Sequence, residues 1–321
     1  MLCLLLLSAP SHAEDRTDDD STDEFTHRII GGDVVEPGGF PGIVALAYNV
    51  NAELVQRQFC AGSVIADQWV LTAAHCLFTS RGFQLNRNDF TVVAGVQDLT
   101  DPNAVEIAVT NVFVHPAYTH FAANPHSDLA LLELASPMGV EPIALSTKPA
   151  EQLTGLTATV AGWGALEFTD PENTPYPKEL YAVDLPIVSL EVCNSPESYR
   201  DALYVNQLCA GFEQGGRDSC SGDSGGPLVV TIDGVRQQVG IVSFGKDCAL
   251  PNYYGVYTNV PYFISWINQY VYIGELEFEP EVVVPKSSEA TAGDASDAAS
   301  TSWAFAIMLS LGIMIRCRRK N

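Results

Sequence analysis

Apolar positions along this chain come in short runs, not in long stripes. Ile43–Tyr48, Ser63–Thr72, Thr91–Ala94, Leu129–Leu134, Ala158–Gly162, Leu228–Ile232 and Val239–Phe244 are rich in apolar and β-branched residues, and Gly, Pro, Asn or Asp separates them. Runs of this length between turn formers predict strands, and many of them with little helical period predict a barrel or sandwich. One segment departs from the pattern. Val260–Tyr272 has Pro261 at its start and carries Phe263, Ile264, Ile267 and Val271 on one side of a predicted helix. No internal repeat is visible.

The two ends read differently. Residues 1–13 combine the apolar stretch Leu2–Leu7 with small residues around a cut after Ala13, which predicts a secretory signal peptide. Residues 14–28 carry seven carboxylates and lack the apolar side chains needed to pack. Residues 274–297 are acidic again, rich in Ala, Ser, Val and Pro, and read as a linker. Residues 298–315 are uncharged and residues 316–321 are basic. The apolar stretch is short for a span, which takes about 20 residues, but the basic residues after it fit a cytoplasmic end. It is read as a membrane anchor, with a GPI signal or a tail lost in processing as the alternatives.

Charge narrows the partners. The formal net charge is −23, which argues against nucleic acid or anionic lipid as a ligand. Cysteine narrows the compartment. Cys3 and Cys317 lie in the terminal segments, leaving Cys60, Cys76, Cys193, Cys209, Cys220 and Cys248. An even number behind a secretion signal predicts disulfides, in any of 15 pairings. No spacing suits zinc, and nothing calls for a metal or cofactor.

Three segments carry chemistry. Leu71-Thr72-Ala73-Ala74-His75-Cys76 supplies a histidine. Ser127-Asp128-Leu129-Ala130-Leu131-Leu132 supplies an aspartate leading into an apolar strand. Asp218-Ser219-Cys220-Ser221-Gly222-Asp223-Ser224-Gly225-Gly226-Pro227 supplies a serine in a Gly-rich turn. A serine hydroxyl is a weak nucleophile near neutral pH and needs a base that a third group orients. The order His, Asp, Ser is the one used on chymotrypsin-like barrels. Any one of these residues alone would be a turn, cap or structural residue; the three motifs in this order are specific.

With Ile29-Ile30-Gly31-Gly32, Gly162-Trp163-Gly164, Ser243-Phe244-Gly245 and Gly255-Val256-Tyr257 added, residues 29–273 resemble the chymotrypsin family, and trypsins most of all. The resemblance implies an all-β fold of two packed six-stranded antiparallel β-barrels with a C-terminal helix. It implies disulfides Cys60–Cys76, Cys193–Cys209 and Cys220–Cys248. It implies Ser224 as nucleophile, His75 as base, Asp128 as its orienting partner, and the N–H groups of Gly222 and Ser224 as the oxyanion hole. Arg28-Ile29 matches the family's activation cut, made by an activating protease or by the enzyme itself, after which the Ile29 amine pairs with Asp223. Asp218 matches the floor of the S1 pocket, with Ser219, Ser243, Phe244, Gly245 and Gly255 around it. That set implies protein or peptide substrates cut after Lys or Arg. Residues 29–273 contain only nine Lys or Arg, which would leave few sites for self-cleavage.

There are departures. Phe244 stands where trypsins carry Trp. Tyr254 stands where trypsin has Pro, a position at which an aromatic residue can accompany sodium binding in the family. Gly95-Val96-Gln97-Asp98 lacks the Glu that begins the calcium loop of trypsins. The rival functions are a binding module on a protease fold, which would have lost a member of the triad, and an adhesion or receptor protein, which would carry added domains.

Overall fold

The computed structural model describes residues 29–121, 125–167 and 176–271. The predicted signal peptide, acidic propeptide, linker, anchor and basic tail lie outside the described residues. Among the described residues no helix is long and apolar enough to cross a membrane.

The first barrel is built from β1 (Ile43–Tyr48), β2 (Gln58–Ala66), β3 (Trp69–Thr72), β4 (Phe90–Ala94), β5 (Val105–Val114) and β6 (Ala130–Leu134). Its closed strand order is β1-β2-β3-β6-β5-β4. The second is built from β7 (Thr157–Gly162), β8 (Tyr181–Val188), β9 (Gln207–Ala210), β10 (Pro227–Ile232), β11 (Val235–Phe244) and β12 (Gly255–Asn259). Its order is β8-β9-β12-β11-β10-β7, and pairing of β7 with β8 closes the ring. All these pairings are antiparallel. The orders are equivalent, so the two halves share one topology that leaves no repeat in the sequence. The short strands Asp33–Val34 and Ala144–Leu145 add to β8 and β11.

Most of the apolar runs form strands where the pattern places them. The run Ser63–Thr72 divides into β2 and β3, because the chain turns at Asp67-Gln68. Strand β8 is absent from the apolar runs for a clear reason. Its Tyr181, Val183, Leu185 and Ile187 are buried, while Ala182, Asp184, Pro186 and Val188 between them are not. Asp184 and Pro186 interrupt the segment, so no unbroken apolar block marks it in the sequence. The helix is shorter than predicted, ending at Ile267. Beyond it the chain tightens into a turn with i→i+3 bonds: the N–H of Gln269 donates to Trp266 O and that of Tyr270 to Ile267 O. This turn sets the Tyr270 ring 4.6 Å from Phe113 of β5.

Two apolar clusters matter for the site. One fills the second barrel, with Val160, Val183, Leu185, Leu208, Leu228, Val230, Val239 and Tyr257. The other is the seam between barrels, where Ile43, Ala45, Ala47 and Val93 meet Ala161, Trp163 and Val229. Trp163 is fully buried there, and its Nε1–H donates to Gln97 O at 3.1 Å. A buried polar contact crosses the seam too, from Ser63 Oγ to Gln238 Oε1 at 2.6 Å. Its hydrogen bond offsets the cost of removing both groups from water.

Candidate active site

His75 follows β3 and opens a single 3₁₀ turn, His75–Leu77. The next residue, Cys76, is bonded to Cys60 on β2, so the turn is tied to its own barrel. Asp128 precedes β6 and is fully buried. Three donors converge on its carboxylate. The His75 backbone N–H reaches Oδ1 at 2.9 Å, His75 Nδ1 reaches Oδ2 at 2.8 Å, and Ser243 Oγ reaches Oδ2 at 2.6 Å. Thr258 Oγ1 donates to the Asp128 carbonyl at 2.7 Å. Ser243 and Thr258 belong to the second barrel, so the aspartate is gripped from both halves.

These contacts decide the charges. Burial alone would raise the pKa of Asp128, but the neighbouring imidazole and the hydrogen bonds outweigh it, and the net shift is downward. Burial alone would lower the pKa of His75, yet the Asp128 charge and hydrogen bond carry it upward. The carboxylate therefore stays ionised and keeps the His75 proton on Nδ1, which leaves Nε2 as the basic nitrogen.

Ser224 lies in the turn before β10. Among the described residues its Oγ makes no hydrogen bond, to His75 or to anything else. The Ser224 backbone lies near the imidazole all the same: Cys76 Sγ is 3.9 Å from His75 Nε2 and 3.6 Å from the Ser224 carbonyl oxygen. Such bonds are often long before substrate arrives. The N–H groups of Gly222 and Ser224 are also uncommitted among the described residues, whereas those of Asp223, Gly225 and Gly226 donate to Cys220 O, Val242 O and Asp223 O. Gly222 has φ +101°, a conformation open to glycine and costly for other residues.

A cavity of about 310 Å³ opens beside Ser224, and Asp218, Ser219, Ser243, Phe244, Gly245 and Gly255 all line it. Asp218 is buried, and its Oδ2 accepts from Ala249 N–H at 3.1 Å. Among the described residues its Oδ1 has no hydrogen-bond partner. Burial raises its pKa to about 7. A Cβ at Gly255 would stand 2.7 Å from that free oxygen, so only glycine leaves it open. The disulfide Cys220–Cys248 ties two walls of the cavity together. Tyr199, which sequence reading did not single out, braces the structure behind them. Its hydroxyl donates to Tyr254 O at 2.8 Å and accepts from Lys246 N–H at 3.2 Å. It comes from the loop closed by Cys193–Cys209. No local motif marks it, because its partners lie about 50 residues away in the chain.

Ile29 is fully buried in the second barrel's core, and Ile30 O accepts from Asp218 N–H at 3.2 Å. Asp223 is fully buried as well. Its oxygens accept from Gly164 N–H at 2.7 Å and Cys220 N–H at 2.8 Å. A Cβ on Gly162 or Gly164 would overlap this carboxylate, which gives the Gly-Trp-Gly segment its physical reason. Burial lifts the Asp223 pKa to about 7.

Cys60, His75 and Cys76 bring a ring nitrogen and two sulfurs within metal-binding distance of one another. The sulfurs are bonded to each other, so neither is a thiolate ligand.

The family model described as Trypsin matches residues 29–267. Coagulation factor IX of Cavia porcellus is 34% identical over 256 residues, covering 76% of this chain and 82% of that protein. Coagulation factor IX of Oryctolagus cuniculus is 35% identical over 254 residues, covering 77% and 85%.

Proposed function

The chain belongs to the trypsin family and is a trypsin-like serine endopeptidase, and from that premise we propose that it cuts after Lys or Arg once the Arg28–Ile29 bond has been cleaved. The observation that carries the specificity is Asp218: a buried carboxylate with one free oxygen, lining a cavity that also reaches Ser224. A Lys or Arg side chain entering the cavity supplies the missing cation and donors. A buried carboxylate without a counter-charge is costly, so the pairing relieves a burden the empty site carries.

The chemistry follows from the site. Ser224 Oγ attacks the scissile carbonyl while His75 Nε2 takes its proton. Asp128 remains ionised and stabilises the imidazolium. The N–H groups of Gly222 and Ser224 receive the oxyanion, and His75 returns the proton to the leaving amine. Water then repeats the sequence on the acyl-enzyme.

The test is hydrolysis of matched peptides with Arg, Lys, Phe or Leu before the scissile bond, by the full chain before and after cleavage at Arg28. Turnover of the Arg and Lys peptides alone, only after the cut, is the expected result. Turnover of Phe or Leu peptides would leave the triad in place and overturn the account of the cavity.

The activation step has a pH signature. With Ile29 in a peptide bond, the raised pKa of Asp223 means that its charge destabilises the fold progressively as pH rises from about 4 to 7. Cleavage frees an amine whose ordinary pKa is about 7.7–8.0, and pairing with Asp223 raises it. The amine's contribution is complete below that ordinary value and is lost as pH rises through the paired one. The cut protein is therefore expected to melt roughly 5 °C above the uncut protein near pH 7, with a smaller gap at pH 4 and in alkali. Calorimetry of both forms across pH checks this; a gap independent of pH would argue against the pairing.

The remaining assignments belong to the same reading. The protein is exported by residues 1–13 and works outside the cell. Residues 14–28 are its propeptide, and the acidic stretch 274–297 links the protease to an anchor at 298–315. An activating protease, or a cut copy of the enzyme, is its upstream partner.

A further inference from the structure

Strand β2 begins at Gln58, and its register against β1 is irregular there. Leu46 pairs with Cys60 but Ala47 pairs with Gln58, so Phe59 is an extra residue. Such a bulge re-aims the side chains beside it. The Phe59 ring stacks on Tyr48 at 4.1 Å. The Gln58 carboxamide instead crosses to the other barrel. Its Nε2 donates to Cys60 O at 3.1 Å and to Gly222 O at 3.0 Å. Both partners are carbonyl oxygens, which fixes the NH2 end of the side chain and uses both of its hydrogens.

The second contact falls on the turn that carries Ser224. The peptide joining Gly222 to Asp223 is now held at both ends, its carbonyl by Gln58 and its N–H by Cys220 O at 3.0 Å. Gly222 itself, at φ +101°, has no side chain to hold its torsions. The peptide before it, which carries its N–H, is held separately by Ala165 N–H on Ser221 O at 2.7 Å. With the peptide after it clamped by Gln58, both torsions of Gly222 are pinned between two fixed planes and its N–H keeps one direction. The first barrel makes a second grip two residues on, where Ala61 N–H donates to Ser224 O at 2.8 Å. That grip is backbone and belongs to the fold; the grip on Gly222 depends on one side chain.

We propose that Gln58 is a positioning residue for the oxyanion hole, holding the Gly222 peptide so that the N–H groups of Gly222 and Ser224 converge on one point. The inference rests on reading those two N–H groups as the oxyanion donors. Gln58 acts through Gly222 and does not touch substrate. It couples the barrel that carries His75 to the loop that carries Ser224.

The test uses the full chain cleaved at Arg28, with Gln58→Ala and Gln58→Glu. The glutamate keeps the size of the side chain and replaces the two donor hydrogens by an acceptor facing a carbonyl. Both variants are expected to lose about tenfold in kcat, with KM for an Arg peptide little changed, on the scale of one lost hydrogen bond to the machinery. A peptidyl boronic acid with Arg before the boron forms a tetrahedral adduct on Ser224 and reads the oxyanion hole. Its affinity is expected to fall by the same factor. Benzamidine fills only the cavity at Asp218, and its affinity is expected to stay within twofold. Wild-type kcat and boronate affinity in Gln58→Glu would overturn the proposal. A parallel loss of benzamidine affinity would do so as well, assigning Gln58 to the folding of the loop. If the unsubstituted enzyme binds the boronate no tighter than benzamidine, the oxyanion reading itself fails and the proposal fails with it, an outcome told apart because it needs no variant.

Discussion

Replacing Ser224 with alanine is expected to lower kcat by about 10⁶-fold, the scale on which deleting the nucleophile acts in serine peptidases. The loss should fall on chemistry alone. Among the described residues Ser224 Oγ bonds to nothing, so its removal leaves no buried partner unsatisfied. The turn is held by other atoms, through Ala61 N–H on Ser224 O and Gly225 N–H on Val242 O. Melting temperature and benzamidine affinity should therefore match the unsubstituted enzyme. The measurement is steady-state hydrolysis of an Arg peptide beside calorimetry. Retained turnover would remove Ser224 from the mechanism. Loss of turnover with the biological effect intact would favour the binding-module reading.

The second large effect concerns Asp218. Asp218→Ser is expected to cut kcat/KM for Arg and Lys peptides by about 10⁴-fold, since a site built to pair a charged group then leaves that group buried without a partner. Turnover of an uncharged peptide should change far less, because the proposed triad and oxyanion donors are untouched. Stability should move the other way. The Asp218 pKa is raised to about 7, so its charge destabilises the empty enzyme increasingly from about pH 4 to 7 and fully above that. The serine variant is thus expected to be at least as stable as the parent at pH 8, and to lose the advantage at pH 4. An equal fall in kcat/KM for charged and uncharged substrates would detach Asp218 from specificity.

The glycines show how site and fold share residues. Gly255 leaves the Asp218 oxygen open, and Gly162 and Gly164 make room for the Asp223 carboxylate. None of these three carries chemistry of its own. Each is a place where a single methyl group would fill the space that a buried carboxylate occupies.

Legibility in the sequence followed the range of the interaction. The strands that are apolar on both faces stood out as runs. Strand β8 did not, because Asp184 and Pro186 break its apolar run. The helix was visible from Pro261 and its apolar side, but not its end at Ile267, after which the chain turns and lays Tyr270 against Phe113 of β5. Six cysteines allowed 15 pairings on counting alone; the fold joins Cys60 to Cys76, Cys193 to Cys209 and Cys220 to Cys248.

By itself the sequence determined the kind of chemistry. A base, its orienting carboxylate and a nucleophile are properties of side-chain type and local motif, and they survive translation into a list of residues. Their working state is a property of environment, and only the tertiary structure decided it. Asp128 and Asp223 are the same residue type and both fully buried, yet one has its pKa lowered and the other raised. The difference is the imidazole that stands beside the first, brought there from 53 residues away and joined by the Ser243 hydroxyl, while among the described residues the second receives only backbone N–H groups.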